Sequence, residues 1–169
     1  MNADKILRNK DNEPLRILMV CLGNICRSPL AEGILQSKAR RRGLPWIVDS
    51  AGTGSWHVGE PPDPRSIATA RRYGIDISQQ RARRFTQRDF DAFDLIFVMD
   101  AANLRDVLSL AEGPAHRNKV RLILEEVFPG EDRSVPDPYW NDDGFDAVFH
   151  LLDQACDKII EKYGKVQVG

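Results

Sequence analysis

The chain has 169 residues, 42% apolar and 29% charged, with a formal net charge of −1. That composition suits one folded domain with a real core and excludes a wholly disordered chain. Three cysteines, an odd number, exclude a fully paired disulfide framework.

The charge is unevenly spread: residues 1–88 carry 16 Lys+Arg against 8 Asp+Glu, and residues 89–169 carry 8 against 17. The arginines of the first half scatter over several expected elements rather than forming one stripe, so nucleic acid is not an expected partner. The opening "MNADKILRNKDNEPL" is polar and lacks the apolar centre of a signal peptide. No apolar run reaches the length of a membrane span. The expectation is a cytoplasmic protein with free thiols and no membrane partner.

In chain order, residues 1–14 read as a flexible N-terminal extension and residues 15–169 as a single domain. "RILMV" (Arg16–Val20) and "LIFVM" (Leu95–Met99) are short, nearly continuous apolar runs, the mark of parallel strands buried on both faces. "WIVDSA" (Trp46–Ala51) and "KVRLIL" (Lys119–Leu124) are weaker strands. A helix is expected from Ser28 to about Arg42, with Leu30, Ala31, Ile34 and Leu35 on one face. Ser28 is its candidate N-cap, Pro29 suits the first helical position, and Gly43 suits the C-terminal stop. Further helices are expected over Pro64–Tyr73, Ala101–Leu110 and Phe145–Tyr163. Alternating strands and helices predict an α/β fold, a parallel sheet with helices on both faces.

Ligands of such sheets bind beyond the carboxyl ends of the strands, which is where Cys21 falls. "CLGNICR" sets five residues between Cys21 and Arg27. A loop that wraps over this distance points successive backbone N–H groups inward and makes an anion nest. Gly23 and Asn24 tolerate the positive φ angles that wrapping needs. The following helix adds the positive end of its dipole, and Arg27 offers a planar fork for two phosphate oxygens. A cysteine in such a field is held as thiolate, with a pKa of about 3.5–7.5 in comparable settings. The plain alternative is an inert buried cysteine beside a surface arginine. A dinucleotide fingerprint and a Gly-Lys-Ser/Thr phosphate loop are both missing, and the cysteine and histidine spacing does not suit zinc.

At "CLGNICRSP" the sequence resembles the low-molecular-weight protein tyrosine phosphatases. The resemblance continues through "DSAGT" (Asp49–Thr53), "PPDPRS" (Pro61–Ser66), "FDLIFVMD" (Phe93–Asp100), "NLRD" (Asn103–Asp106) and "DPYW" (Asp137–Trp140), covering about residues 15–163. It implies a four-stranded parallel sheet and hydrolysis of phosphotyrosine through a cysteinyl-phosphate intermediate, without metal or cofactor. It assigns Cys21 as nucleophile, Arg27 as phosphate clamp and Asp137 as general acid. Pro136 and Pro138 flank Asp137 and are expected to hold its loop stiff and extended. A solvated turn aspartate is the alternative, since Asp-Pro is a common turn dipeptide.

Leu22, Gly23, Asn24, Ile25 and Cys26 then form the phosphate loop, with Asn24 keeping it wound. The resemblance gives Ser28 a hydrogen bond to the Cys21 sulfur; helix capping is its other reading. It places aromatic walls at Trp56, Tyr139 and Trp140, which with Leu22 and Ile25 suit a flat phenyl ring. It also implies that Cys26 forms a disulfide with an oxidised Cys21. Cys156 is expected in the core, and His57, His116 and His150 receive no catalytic role. The implied partners are a phosphotyrosine protein or peptide and inorganic phosphate as product and inhibitor.

Three other functions compete. Thiol-dependent arsenate reductases resemble the chain around Cys21 but need relay cysteines, and residues 53–99 hold none. Protein arginine phosphatases carry a threonine where this chain has Ile25. A non-catalytic phosphotyrosine-binding module would not need Cys21, Arg27 and Asp137 together.

Overall fold

A computed structural model of the chain describes residues 13–164. The expected extension over residues 1–14 therefore lies almost wholly outside the described residues. β1 (Arg16–Cys21), β2 (Ile47–Gly52), β3 (Leu95–Val98) and β4 (Val120–Leu122) form one parallel sheet in the order β2-β1-β3-β4. The helices are α1 (Arg27–Arg41), α2 (Pro64–Arg72), α3 (Asp89–Ala92), α4 (Ala101–Leu108), α5 (Pro114–Arg117) and α6 (Gly144–Gly164). The α/β fold and the four-stranded parallel sheet agree with expectation.

Alternation along β1 explains the two-sided core. Ile17, Met19 and Cys21 join a cluster with Leu30, Ile34 and Leu152 from α1 and α6. Leu18 and Val20 point the other way, to Phe90 and Val107 from α3 and α4. A strand with no exposed face reads as the continuous apolar run seen in the sequence. Tyr163 is fully buried, and its hydroxyl accepts from Arg121 Nη1 at 2.7 Å, so no polar group is stranded there.

Several boundaries differ from expectation. β4 stops at Leu122, where a 3₁₀ turn over Ile123–Glu126 takes over. α3 and α5 are four residues each, too short to show a helical period. Gly43 does end α1, at φ 68°. Ser28 is not the N-cap: α1 begins at Arg27, the cap position is Cys26, and no side chain caps it. Ser28 is free for another bond because it already lies inside the helix. Among the described residues, no helix is long and apolar enough to cross a membrane.

Candidate active site

The carboxyl ends of β1 and β3 flank the point where the chain order of the sheet reverses, the usual place for a ligand crevice. A cleft of about 300 Å³ opens there. Cys21, at the end of β1, and Arg27, at the start of α1, share it with Asp137, Trp56, Tyr139 and Trp140. Leu22, Gly23, Ile25 and Cys26 complete the floor and rim.

The loop between Cys21 and Arg27 is wound tightly. Asn24 takes a positive φ of 57°. Gly23 does not, which corrects one expectation. What Gly23 supplies is room: a Cβ there would stand 3.1 Å from Cδ2 of His57. Gly52, at the end of β2, is needed for the same reason, since a Cβ would meet Leu22 O at 2.8 Å and Asn24 N at 3.1 Å. Within the described residues, no backbone carbonyl accepts from the amides of Gly23, Asn24, Ile25 or Cys26. Unpaired amides of this kind, beside a helix N-terminus, are an anion-binding concavity.

Asn24 and Ser28 lie beneath the loop. Ser28 Oγ is 3.0 Å from Cys21 Sγ. Asn24 Nδ2 donates to Ser28 Oγ at 2.8 Å and to Ser50 Oγ at 2.9 Å, and Asn24 Oδ1 accepts from Arg83 N at 3.0 Å. Ser50 in turn donates to Glu32 Oε1 at 2.6 Å. Burial pushes the Glu32 carboxyl up to about 7 against the pull of the Ser50 bond; Asp49 adds to the rise and Arg83 opposes it.

Arg27 is 2% exposed. Its Nη1 donates to Asp100 Oδ2 at 2.7 Å and to Val135 O at 2.9 Å, which fixes the fork. The other nitrogen, Nη2, lies 3.7 Å from Asp137 Oδ2 across the cleft. Burial works against the guanidinium charge, but Cys21, Asp100 and Asp137 together outweigh it and raise the Arg27 pKa. Sequence reasoning did not single out Asp100. The signal was an acid closing the buried run Leu95–Met99, at the same end of the sheet as Cys21.

The loop bearing Asp137 is strapped down through Val135. Its N–H donates to Met99 O at 2.7 Å, and its carbonyl accepts from Arg27. Asp137 is extended as expected, but Pro138–Trp140 curl into a 3₁₀ turn rather than continuing straight. Asp137 Oδ1 accepts from Tyr139 N at 3.0 Å and closes that turn. Arg65 of α2 braces the loop from outside, ion-pairing with Asp63 at 2.8 Å and with Asp142 at 2.5 Å.

Trp56 and Trp140 are 71% and 88% exposed. Rings that expose this much are not core filling, and both stand at the cleft. Ile25 and Cys26 instead pack into a small cluster with Ala82 and Phe145. Burial, with Asp63, Cys21 and Asp137 nearby, pushes the Cys26 thiol up to about 12. Cys156 is buried in the main core as expected. His57, given no role from sequence, lines the cleft, with Nδ1 2.7 Å from Glu60 Oε2.

The chain is similar to known proteins over most of its length. The family model "Low molecular weight phosphotyrosine protein phosphatase" matches residues 16–168. The chain is 42% identical over 144 residues to the protein of that name from Schizosaccharomyces pombe, covering 82% of this chain and 91% of that one. The crystal structure of YfkJ from Bacillus subtilis is similar at 35% identity and TM-score 0.83, over 92% of this chain and 98% of that one. The Drosophila arginine phosphatase DARP is similar at 34% identity and TM-score 0.82, over 88% and 98%.

Proposed function

The chain belongs to the low molecular weight phosphotyrosine protein phosphatases, and on that premise we propose how its own residues hydrolyse phosphotyrosine. Residues 15–169 are the phosphatase domain. The supporting observation is that Cys21, Arg27 and Asp137 line one cleft with aromatic walls.

The phosphoryl group seats in the loop, its equatorial oxygens held by the unpaired amides and by the Nη2 edge of Arg27. These donors lie where charge spreads in the transition state. The Cys21 thiolate attacks phosphorus as the bond to the phenol oxygen breaks. Asp137 gives that oxygen its proton, a step typically worth about 10²–10⁴ in rate. The product of this half is a cysteinyl-phosphate. Asp137, now ionised, takes a proton from the attacking water. The sulfur departs as thiolate with the Ser28 hydroxyl to stabilise it, and inorganic phosphate leaves or rebinds as inhibitor.

Trp56, Tyr139 and Trp140 hold the phenyl ring. Ile25 favours that ring over a guanidinium, which separates this chain from an arginine phosphatase despite the likeness to DARP. The reaction needs Cys21 reduced, so the working compartment is the cytoplasm.

A panel of phosphotyrosine, phosphoserine and phosphoarginine peptides, together with arsenate, tests the substrate class. The expected result is release of phosphate from phosphotyrosine, abolished in Cys21→Ser. Faster turnover of phosphoarginine, or reduction of arsenate, would overturn the assignment. Tight phosphotyrosine binding without turnover would leave a binding module instead.

A further inference from the structure

Beneath the phosphate loop lies a largely enclosed acid that the mechanism above does not use. Glu32, on the second turn of α1, is the far end of an unbroken chain of hydrogen bonds reaching the nucleophile. The links are Glu32 Oε1 to Ser50 Oγ at 2.6 Å, Ser50 Oγ to Asn24 Nδ2 at 2.9 Å, Asn24 Nδ2 to Ser28 Oγ at 2.8 Å, and Ser28 Oγ to Cys21 Sγ at 3.0 Å.

Counting hydrogens fixes the direction of each link. The Asn24 amide nitrogen carries two, and both are committed, one to each serine. Asn24 cannot flip without surrendering the bond that its Oδ1 accepts from Arg83 N. Ser50 has one hydroxyl hydrogen, and an ionised Glu32 offers only acceptors, so that hydrogen goes to Glu32. The Ser50 oxygen is then open to Asn24. The Ser28 oxygen also accepts from Asn24, and a Cys21 thiolate offers only an acceptor, so the Ser28 hydrogen goes to the sulfur.

We propose that Glu32 is a positioning residue for catalysis: its carboxylate, acting through Ser50, Asn24 and Ser28, keeps a hydroxyl hydrogen on the Cys21 sulfur. The proposal rests on the reading of Cys21 as nucleophile. A protonated Glu32 brings a hydrogen of its own to Ser50, and the Ser50 hydrogen is no longer drawn to a fixed acceptor. Asn24 and Ser28 are then held less firmly, and the sulfur becomes a poorer leaving group from phosphorus.

The surroundings fit this role. The charged groups acting on Glu32 are Asp49 of β2, which opposes its ionisation, and Arg83, which favours it. Burial moves its titration to about pH 7, within the working range of a cytoplasmic enzyme. Holding the charge there opposes folding, so a neutral glutamine is expected to be stabilising at high pH. Lost activity in that variant cannot then be blamed on lost fold.

The test compares wild type, Glu32→Gln, Ser50→Ala and the double variant. Turnover of para-nitrophenyl phosphate and the rate of Cys21 alkylation by iodoacetate are followed from pH 5 to 8. The ratio of wild-type to Glu32→Gln kcat should be near one at pH 5, where both side chains are neutral. It should rise to about threefold to tenfold by pH 8. The pH midpoint of alkylation should be about half a pH unit higher in Glu32→Gln. Both differences should vanish in the Ser50→Ala background, where the chain is cut.

A kcat ratio that does not change with pH would overturn the proposal. So would a lower alkylation midpoint in Glu32→Gln, the sign expected if the carboxylate merely repelled the thiolate through space. Persistence of the full effect without the Ser50 hydroxyl would also overturn it. Turnover surviving in Cys21→Ser would instead fell the reading of the nucleophile itself.

Discussion

Asp100 performs two tasks with two oxygens, and Asp100→Asn sets them against each other. Oδ2 accepts from Arg27 Nη1 at 2.7 Å, and Oδ1 accepts from Asn103 N at 2.7 Å as the N-cap of α4. Asparagine has only one oxygen. If it keeps the cap, it turns an NH₂ group toward a guanidinium that is itself all donors. The Arg27 side chain is 3% exposed and that of Asp100 is 22%. Removing one partner of a fully buried ion pair costs ~3–5 kcal/mol. Here the partial exposure and the remaining Val135 carbonyl reduce that to about 2 kcal/mol. Asp100→Ala loses the cap as well, for roughly 1 kcal/mol more. Phosphate affinity should fall about tenfold in both variants, since a displaced guanidinium aims its free edge poorly. Urea denaturation gives the stabilities and calorimetric titration with inorganic phosphate gives the affinity. Wild-type phosphate affinity in Asp100→Asn would refute the reasoning that this carboxylate aims Arg27.

Gly52→Ala would drive a methyl into the backbone of Leu22 and Asn24; steady-state turnover of an aryl phosphate should drop by about 100-fold or more, as when oxyanion donors are misplaced, and wild-type kcat would contradict the packing. Glu32→Gln makes a stability prediction with a definite sign. The folded-state pKa of Glu32 is raised from 4.5 to about 7, so its favourable contribution is full below pH 4.5 and is lost as pH rises through 7. Urea denaturation should find Glu32→Gln more stable than wild type at pH 8 and close to it at pH 4.5; the reverse order would show that the charge is not buried at a cost. The Cys26 thiol, pushed up to about 12, stays protonated at neutral pH, so its capture of an oxidised Cys21 should be slow and should quicken as pH rises. Activity regained with a thiol reductant after peroxide treatment measures this, and equal recovery in Cys26→Ser would remove the disulfide from the account.

The central strands were legible because they are buried on both faces: Ile17–Val20 and Leu95–Val98 leave no polar position to blur the pattern. Cys21 and Arg27 were legible because one short loop carries both, and Asp137 because its prolines and the following aromatics mark it. What the sequence hid depends on pairing across the fold. Asp100 lies 73 positions from Arg27, and no local period connects them. Glu32 looks like any helical glutamate until Ser50 of a neighbouring strand is brought against it. Ser28 satisfied the rules for an N-cap, yet the cap position falls at Cys26, two residues earlier, and the hydroxyl faces sulfur instead. His57 was invisible because its position at the cleft depends on how the turn after β2 closes on Gly23.

Rapid quenching of Asp137→Ala with para-nitrophenyl phosphate, whose weakly basic leaving group departs without an acid, followed by mass spectrometry of the acid-trapped protein, interrogates the sulfur directly. A phosphoryl group should be found on Cys21, accumulating because breakdown of the adduct lacks its base. A protein that turns substrate over with phosphate on another side chain, or that never carries it covalently, would contradict the nucleophilic role of Cys21.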